Sequence, residues 1–168
     1  MRTITIFAAG IIAAAVTSSA FAQGPDQKFI KEAIEGNLAE VQMGQLAQQN
    51  GASQSVKDFG QMLVTDHGQA NTKAQSVAQT LNVTPPTEPN AKQKKDYDKM
   101  SKLNGAAFDK AFAQHMVADH KKDIAAFQKE TKSKNQAAAS FAKETLPTLQ
   151  KHLETAQSLQ KGGKTAKQ

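Results

Sequence analysis

Four histidines are the first residues in this sequence that could do chemistry: His67, His115, His120 and His152. Three of them stand where apolar residues belong. His67 shares a helical stripe with Phe59, Leu63 and Ala74. His120 shares one with Phe112, Met116 and Phe127, and His152 one with Leu149 and Ala156. Glu40 interrupts a fourth stripe, made by Phe29, Ala33, Gly36, Met43 and Ala47. Each stripe therefore aims one ionisable group at a core, where an unpartnered charge is costly. Three imidazoles and a carboxylate are a ligand set for zinc, copper or iron. Asp66 and Asp119 directly precede His67 and His120. Neighbours on a helix point about 100° apart. Either acid can thus reach a histidine on another helix as an outer acceptor, or ligate directly. The candidate metal set is Glu40, Asp66, His67, Asp119, His120 and His152. The competing reading of the same residues is a buried polar network that only fixes helix register.

Several chemistries are excluded. A carboxylate-bridged di-iron site needs Glu-x-x-His, so that both ligands meet on one helix face. The residues three before His67, His120 and His152 are Val64, Val117 and Leu149. There is no nucleophile elbow, phosphate loop or dinucleotide fingerprint. The absence of cysteine removes thiolate ligands, thiol chemistry and a lipid-anchor site. No catalytic residue and no organic cofactor is assigned, and the balance favours a protein that is not an enzyme.

The elements that must position these groups are all helical. Apolar residues recur at steps of three and four, and alternating β-branched runs are missing. A first helix is predicted from about Asp26 to Gln49, with Pro25 at its start and Asn50-Gly51 at its end. A second starts near Ser53 or Ser55, either of which can cap it, and ends at Asn82. Pro85, Pro86 and Pro89 make the following segment extended. A short polar helix, about Ala91 to Leu103, precedes Asn104-Gly105. Two further long helices cover about Ala106 to Thr131 and Gln136 to Gln160. Pro147 inside the last should remove one backbone bond and kink it. The pattern is an all-α, antiparallel four-helix bundle with a short extra helix in the long connection between the second and third long helices. The extended part of that connection reaches about 30 Å at ~3.3 Å per residue. Its helical part adds about 20 Å at ~1.5 Å per residue. A ferritin-like crossover and a simple up-down order are both allowed.

The chain starts like an exported protein. Arg2 is followed by an uncharged apolar run to Val16, and Ala20-Phe21-Ala22 is an A-x-A cleavage site. The run is too short to span a bilayer, which takes about 20 residues. The expected layout is a signal peptide over 1–22, a bundle domain over 23–160 and a flexible basic tail over 161–168. No transmembrane segment remains after cleavage, and the expected compartment is the periplasm. Removing Arg2 leaves 20 bases against 15 acids, a formal charge of +5. The lysines are spread over helix surfaces with few aromatics among them, so nucleic acid is not an expected partner.

The stretches GNLAEVQMGQLA (Gly36 to Ala47), VKDFGQMLVTDHGQAN (Val56 to Asn71), FDKAFAQHMVADH (Phe108 to His120) and FAKETLPTLQKHLETA (Phe141 to Ala156) resemble the domain of unknown function 4142 family. The resemblance implies a ferritin-like bundle and an export route, and it implies no reaction. Members are often labelled outer membrane proteins, but this sequence has no alternating ten-residue strands for a barrel. Two functions fit the residues best, and an oxidoreductase using the same site with a bound metal ranks below them for want of a recognisable acid/base pair. One is an exported bundle that binds a transition metal for storage, buffering or stress protection. The other is a non-catalytic envelope or stress protein that acts by binding an unidentified protein partner, its buried polar groups being structural.

Overall fold

A computed structural model of the chain describes residues 24–165. The expected signal peptide lies outside these residues, as do residues 166–168 of the expected tail. Five helices and no strand are found among the described residues: α1 Pro25–Asn50, α2 Gln54–Thr80, α3 Ala91–Met100, α4 Gly105–Glu130 and α5 Gln136–Thr165. The last helix runs five residues beyond its expected end at Gln160. It also continues through Pro147. Pro147 and Lys143, whose carbonyl loses its helical partner, both face solvent, so water can take the freed acceptor.

Local chemistry sets the ends. Pro25 opens α1, and the Gln27 side chain accepts from the Gly24 N–H at 3.0 Å. Ser53 caps α2. At its other end Asn82 takes the left-handed conformation (φ 54°). Its N–H donates to the Gln79 carbonyl and that of Val83 to Ala78, which closes the helix with a Schellman motif. Asn90 caps α3 by accepting from the Lys92 and Gln93 N–H groups.

Long-range hydrogen bonds fix how the helices run. The Gln27 amide donates to the Leu81 carbonyl at 2.9 Å, so the start of α1 meets the end of α2. Asn50 donates to the Leu103 carbonyl, and Asp109 accepts from the Ala52 and Ser53 N–H groups at 2.9 Å each. The start of α4 therefore sits at the α1–α2 turn. Ser133 donates to Asp26 at 2.7 Å and returns the α4–α5 turn to the start of α1. The segment 81–104 must then climb the whole length of α2. The first pair runs up and down, and the second down and up. The α1 helix packs on α2 and α4, while α5 packs on α4 and α2.

Two apolar blocks fill the interior. Met43, Leu46, Phe59, Leu63, Phe108 and Phe112 belong to one, at the α1–α2 turn. Phe29, Ile30, Ile34, Phe127, Phe141 and Leu149 belong to the other. Along every long helix the two blocks are separated by buried polar residues: Asn37 and Glu40 on α1, His67 on α2, His120 on α4 and His152 on α5. Among the described residues no helix is long and apolar enough to cross a membrane.

Candidate metal centre

The polar layer is built around three imidazoles. His67, His120 and His152 expose only 4%, 1% and 0% of their surface. One ring nitrogen from each lies within 4.8 Å of the other two. Among the described residues this is the one group of three or more His, Asp or Glu side chains so tightly placed. Phe59 packs its ring at 5.9 Å from that of His152 and seals the apolar side of the group.

The other nitrogen of each ring is taken. His67 Nδ1–H donates to the Asn37 side-chain oxygen at 2.9 Å. His120 Nδ1–H donates to the Met116 carbonyl at 3.0 Å. His152 Nε2–H donates to an Asp66 carboxylate oxygen at 2.8 Å. With the Asn37 oxygen, the Met116 carbonyl and the Asp66 carboxylate as acceptors, each neutral ring has spent its single N–H. Three bare lone pairs are left: His67 Nε2, His120 Nε2 and His152 Nδ1. The last two face each other at 3.3 Å, and His67 Nε2 is buried with no partner.

Burial keeps these rings uncharged. It pushes His67 well below the usual histidine range, and its two imidazole neighbours add to the effect. Burial and His152 bring His120 down to about 4. Burial also lowers His152, against the opposing pull of Asp66. All three shifts favour the neutral ring over the charged one.

Lone pairs held this close repel unless something electrophilic lies between them. The 3.3 Å between His120 Nε2 and His152 Nδ1 is that of two ligands on one ion, since nitrogens about 2.05 Å from a tetrahedral zinc are about 3.4 Å apart, and the third nitrogen lies within 4.8 Å of both. The outer acceptors complete the arrangement, because they fix each tautomer and aim its free nitrogen inward.

The remaining candidates divide. Asp66 reaches across from α2 to α5 and holds His152 from outside. Glu40 is not one of the converging donors. It lies with Asp119 and Asp123 along the α1–α4 seam, where burial raises its carboxyl well above the ordinary range, helped by those two acids. Burial, with Asp119 beside it, pushes Asp123 up to about 7. His115 and Asp119 share a small cavity with Glu40. Asn37 escaped the sequence reading. Its only sequence signal is a polar amide inside the α1 stripe, between Ala33 and Glu40.

Residues 12–159 match a family described as a domain of unknown function, DUF4142. The chain belongs to this family. All six candidate residues fall inside the matched span. No curated protein and no solved structure matches the chain. Membership in DUF4142 brings no reaction with it, so the chemistry has to be argued from the geometry.

Proposed function

We propose that this DUF4142 chain is an exported periplasmic protein that holds one transition-metal ion at His67, His120 and His152, for storage, buffering or stress protection. In this reading the helices form a ferritin-like four-helix bundle, crossed end to end by the segment 81–104, and the ion sits in its middle layer. One observation carries the proposal: one nitrogen from each of three buried imidazoles lies within 4.8 Å of the other two, while the other nitrogen of each ring already has a hydrogen-bond partner. A polar network kept only for helix register would not leave His67 Nε2 buried without a partner. Neutral nitrogen donors without a carboxylate suit zinc or copper, and by the Irving–Williams order they bind iron(II) more weakly. Three protein ligands leave a fourth tetrahedral position for water or a small ligand.

The test is the metal content of the purified chain and its uptake of zinc and copper, compared with a His67→Ala/His120→Ala variant. The expected result is one equivalent in the wild type and none in the variant. Absence of metal and of uptake in both would overturn the proposal. The periplasmic assignment is tested by N-terminal sequencing of the exported protein, with Gln23 as the expected first residue.

A further inference from the structure

The histidine centre has little negative charge of its own, and that limits the ion it can take. Its three converging donors are imidazoles, and no carboxylate is among them. Of the three outer acceptors, the Asn37 amide and the Met116 carbonyl are uncharged, so Asp66 is the single anion bonded to a ring. Asp119, next to His120 in the chain, acts on that ring only through space and is hydrogen-bonded to Glu40. The surroundings are apolar. All three rings are buried, and Phe59 lies 5.9 Å from His152 and 6.5 Å from His120. Apolar blocks fill the core on both sides. The cost of bringing an ion into such a place grows with the square of its charge, so a divalent ion costs about four times as much as a monovalent one of similar size. One positive charge is balanced by Asp66. A second would stand uncompensated in the core.

Coordination number points the same way. Three donors converge, and among the described residues no fourth His, Asp or Glu joins them. Zinc in proteins is almost always four-coordinate, so it would have to draw a water or hydroxide into this layer. Copper(I) has a filled d shell and is satisfied by three nitrogens in a plane, and imidazole is a copper ligand. We propose that the ion of this centre is copper in its monovalent state, with His67, His120 and His152 as its protein ligands. This inference rests on the metal-site reading above and narrows it. The chain has no cysteine, so no thiolate locks the ion in place and it stays exchangeable, as buffering requires.

The experiment is an anaerobic copper(I) titration of the full chain in competition with a chromophoric cuprous chelator, followed by X-ray absorption spectroscopy of the loaded protein. One equivalent is expected, with a copper(I) edge, three nitrogen ligands and no fourth, and it should be retained when zinc is added in excess. His67→Ala and His152→Ala should each weaken binding by more than about 100-fold, beyond the range for losing an outer acceptor. His115→Ala, which removes the histidine outside the group, should bind as the wild type does. Circular dichroism checks that each variant is folded, and if a variant is not, the absorption spectrum of the wild type carries the test. Displacement of copper(I) by zinc, a fourth ligand in the spectrum, or loss of copper(I) in His115→Ala alone would overturn the inference. A chain that holds zinc or copper(II) at the three histidines in preference to copper(I) overturns it while the metal-site reading stands. A chain that binds no metal overturns both.

Discussion

Replacing Asp66 with asparagine tests the tautomer argument at its most exposed point. Asp66 accepts from His152 Nε2–H at 2.8 Å, and that bond is what leaves His152 Nδ1 bare. An asparagine of the same shape can turn its NH₂ toward the ring. Nε2 then becomes the acceptor and the ring proton moves to Nδ1. From there it points at His120 Nε2, 3.3 Å away, and makes a hydrogen bond where two lone pairs stood. Metal binding must break that bond. Loss of an outer acceptor costs about 10–100-fold in affinity, or about 1.4–2.7 kcal/mol. The side chain is 31% exposed, so the substitution leaves no charge or cavity in the core and the fold should persist. Competition against a chromophoric zinc chelator measures the affinity. Nitrogen-15 NMR of the metal-free chain at neutral pH reads the tautomers directly. The expected pattern is a proton on Nδ1 of His67 and His120 and on Nε2 of His152, with His152 switched in Asp66→Asn. A wild-type proton on His120 Nε2 or His152 Nδ1, or unchanged zinc affinity in the variant, would refute the reasoning.

Two further predictions concern the scaffold. A Cβ built at Gly60 would lie 2.6 Å from the Gly44 carbonyl oxygen across the α1–α2 seam. Gly60→Ala should therefore destabilise by about 1–3 kcal/mol in urea melts, although alanine favours helix elsewhere, and an unchanged or raised midpoint would contradict the close approach. Glu130, at the end of α4, is pushed up to about 7, first by burial and then by Asp26. Its folded form holds a proton more tightly than the unfolded chain, so stability from this group falls as pH rises from the ordinary carboxylate range through about 7 and is flat above. The gap corresponds to at most about 3 kcal/mol, and solvent at the bundle end reduces it to about 1. Glu130→Gln should consequently gain stability relative to the wild type at pH 8 but not at pH 4, and a pH-independent difference would sink this account.

The four long helices were legible because each carries its period over seven turns or more, which a few polar residues cannot disguise. The start of α5 at Gln136 was read correctly, and the bounds of α1 are displaced by one residue at each end. The end of α5 was not: Lys161-Gly162-Gly163 reads as a stop, yet the preceding turns carry the helix on to Thr165. The direction of α4 could not be read, since reach alone allowed both connections. Asp109 meeting the Ala52–Ser53 turn decides it, and that contact spans more than fifty residues. Helical phase put the three histidines in the interior, but phase says nothing about lateral distance. Glu40 has the right phase and height and yet faces the α1–α4 seam with Asp119. Asn37, one turn earlier, is the α1 residue that meets His67.

The cost of the polar layer gives a way to test the two readings of these helices against each other. A network kept for register lowers its own energy by pairing its members. This one leaves His67 Nε2, Asn37 Nδ2 and Glu40 Oε2 buried without partners, each a penalty of about 1–3 kcal/mol. Replacing Asn37, His67, His120 and His152 together with leucine removes the imidazole pairs and two of those three unpaired groups at once, leaving Glu40. Exchanges of this kind are neutral or stabilising by about 1–4 kcal/mol. The metal-free fourfold variant should accordingly unfold at equal or higher urea than the metal-free wild type, with zinc reversing the order because only the wild type gains binding free energy. A fourfold variant that loses more than about 2 kcal/mol, with no zinc effect on either chain, would mean that the layer serves packing alone. The predicted outcome is a metal-free chain no more stable than its leucine variant, since three clustered ring nitrogens without protons are favourable only when an ion occupies the space between them.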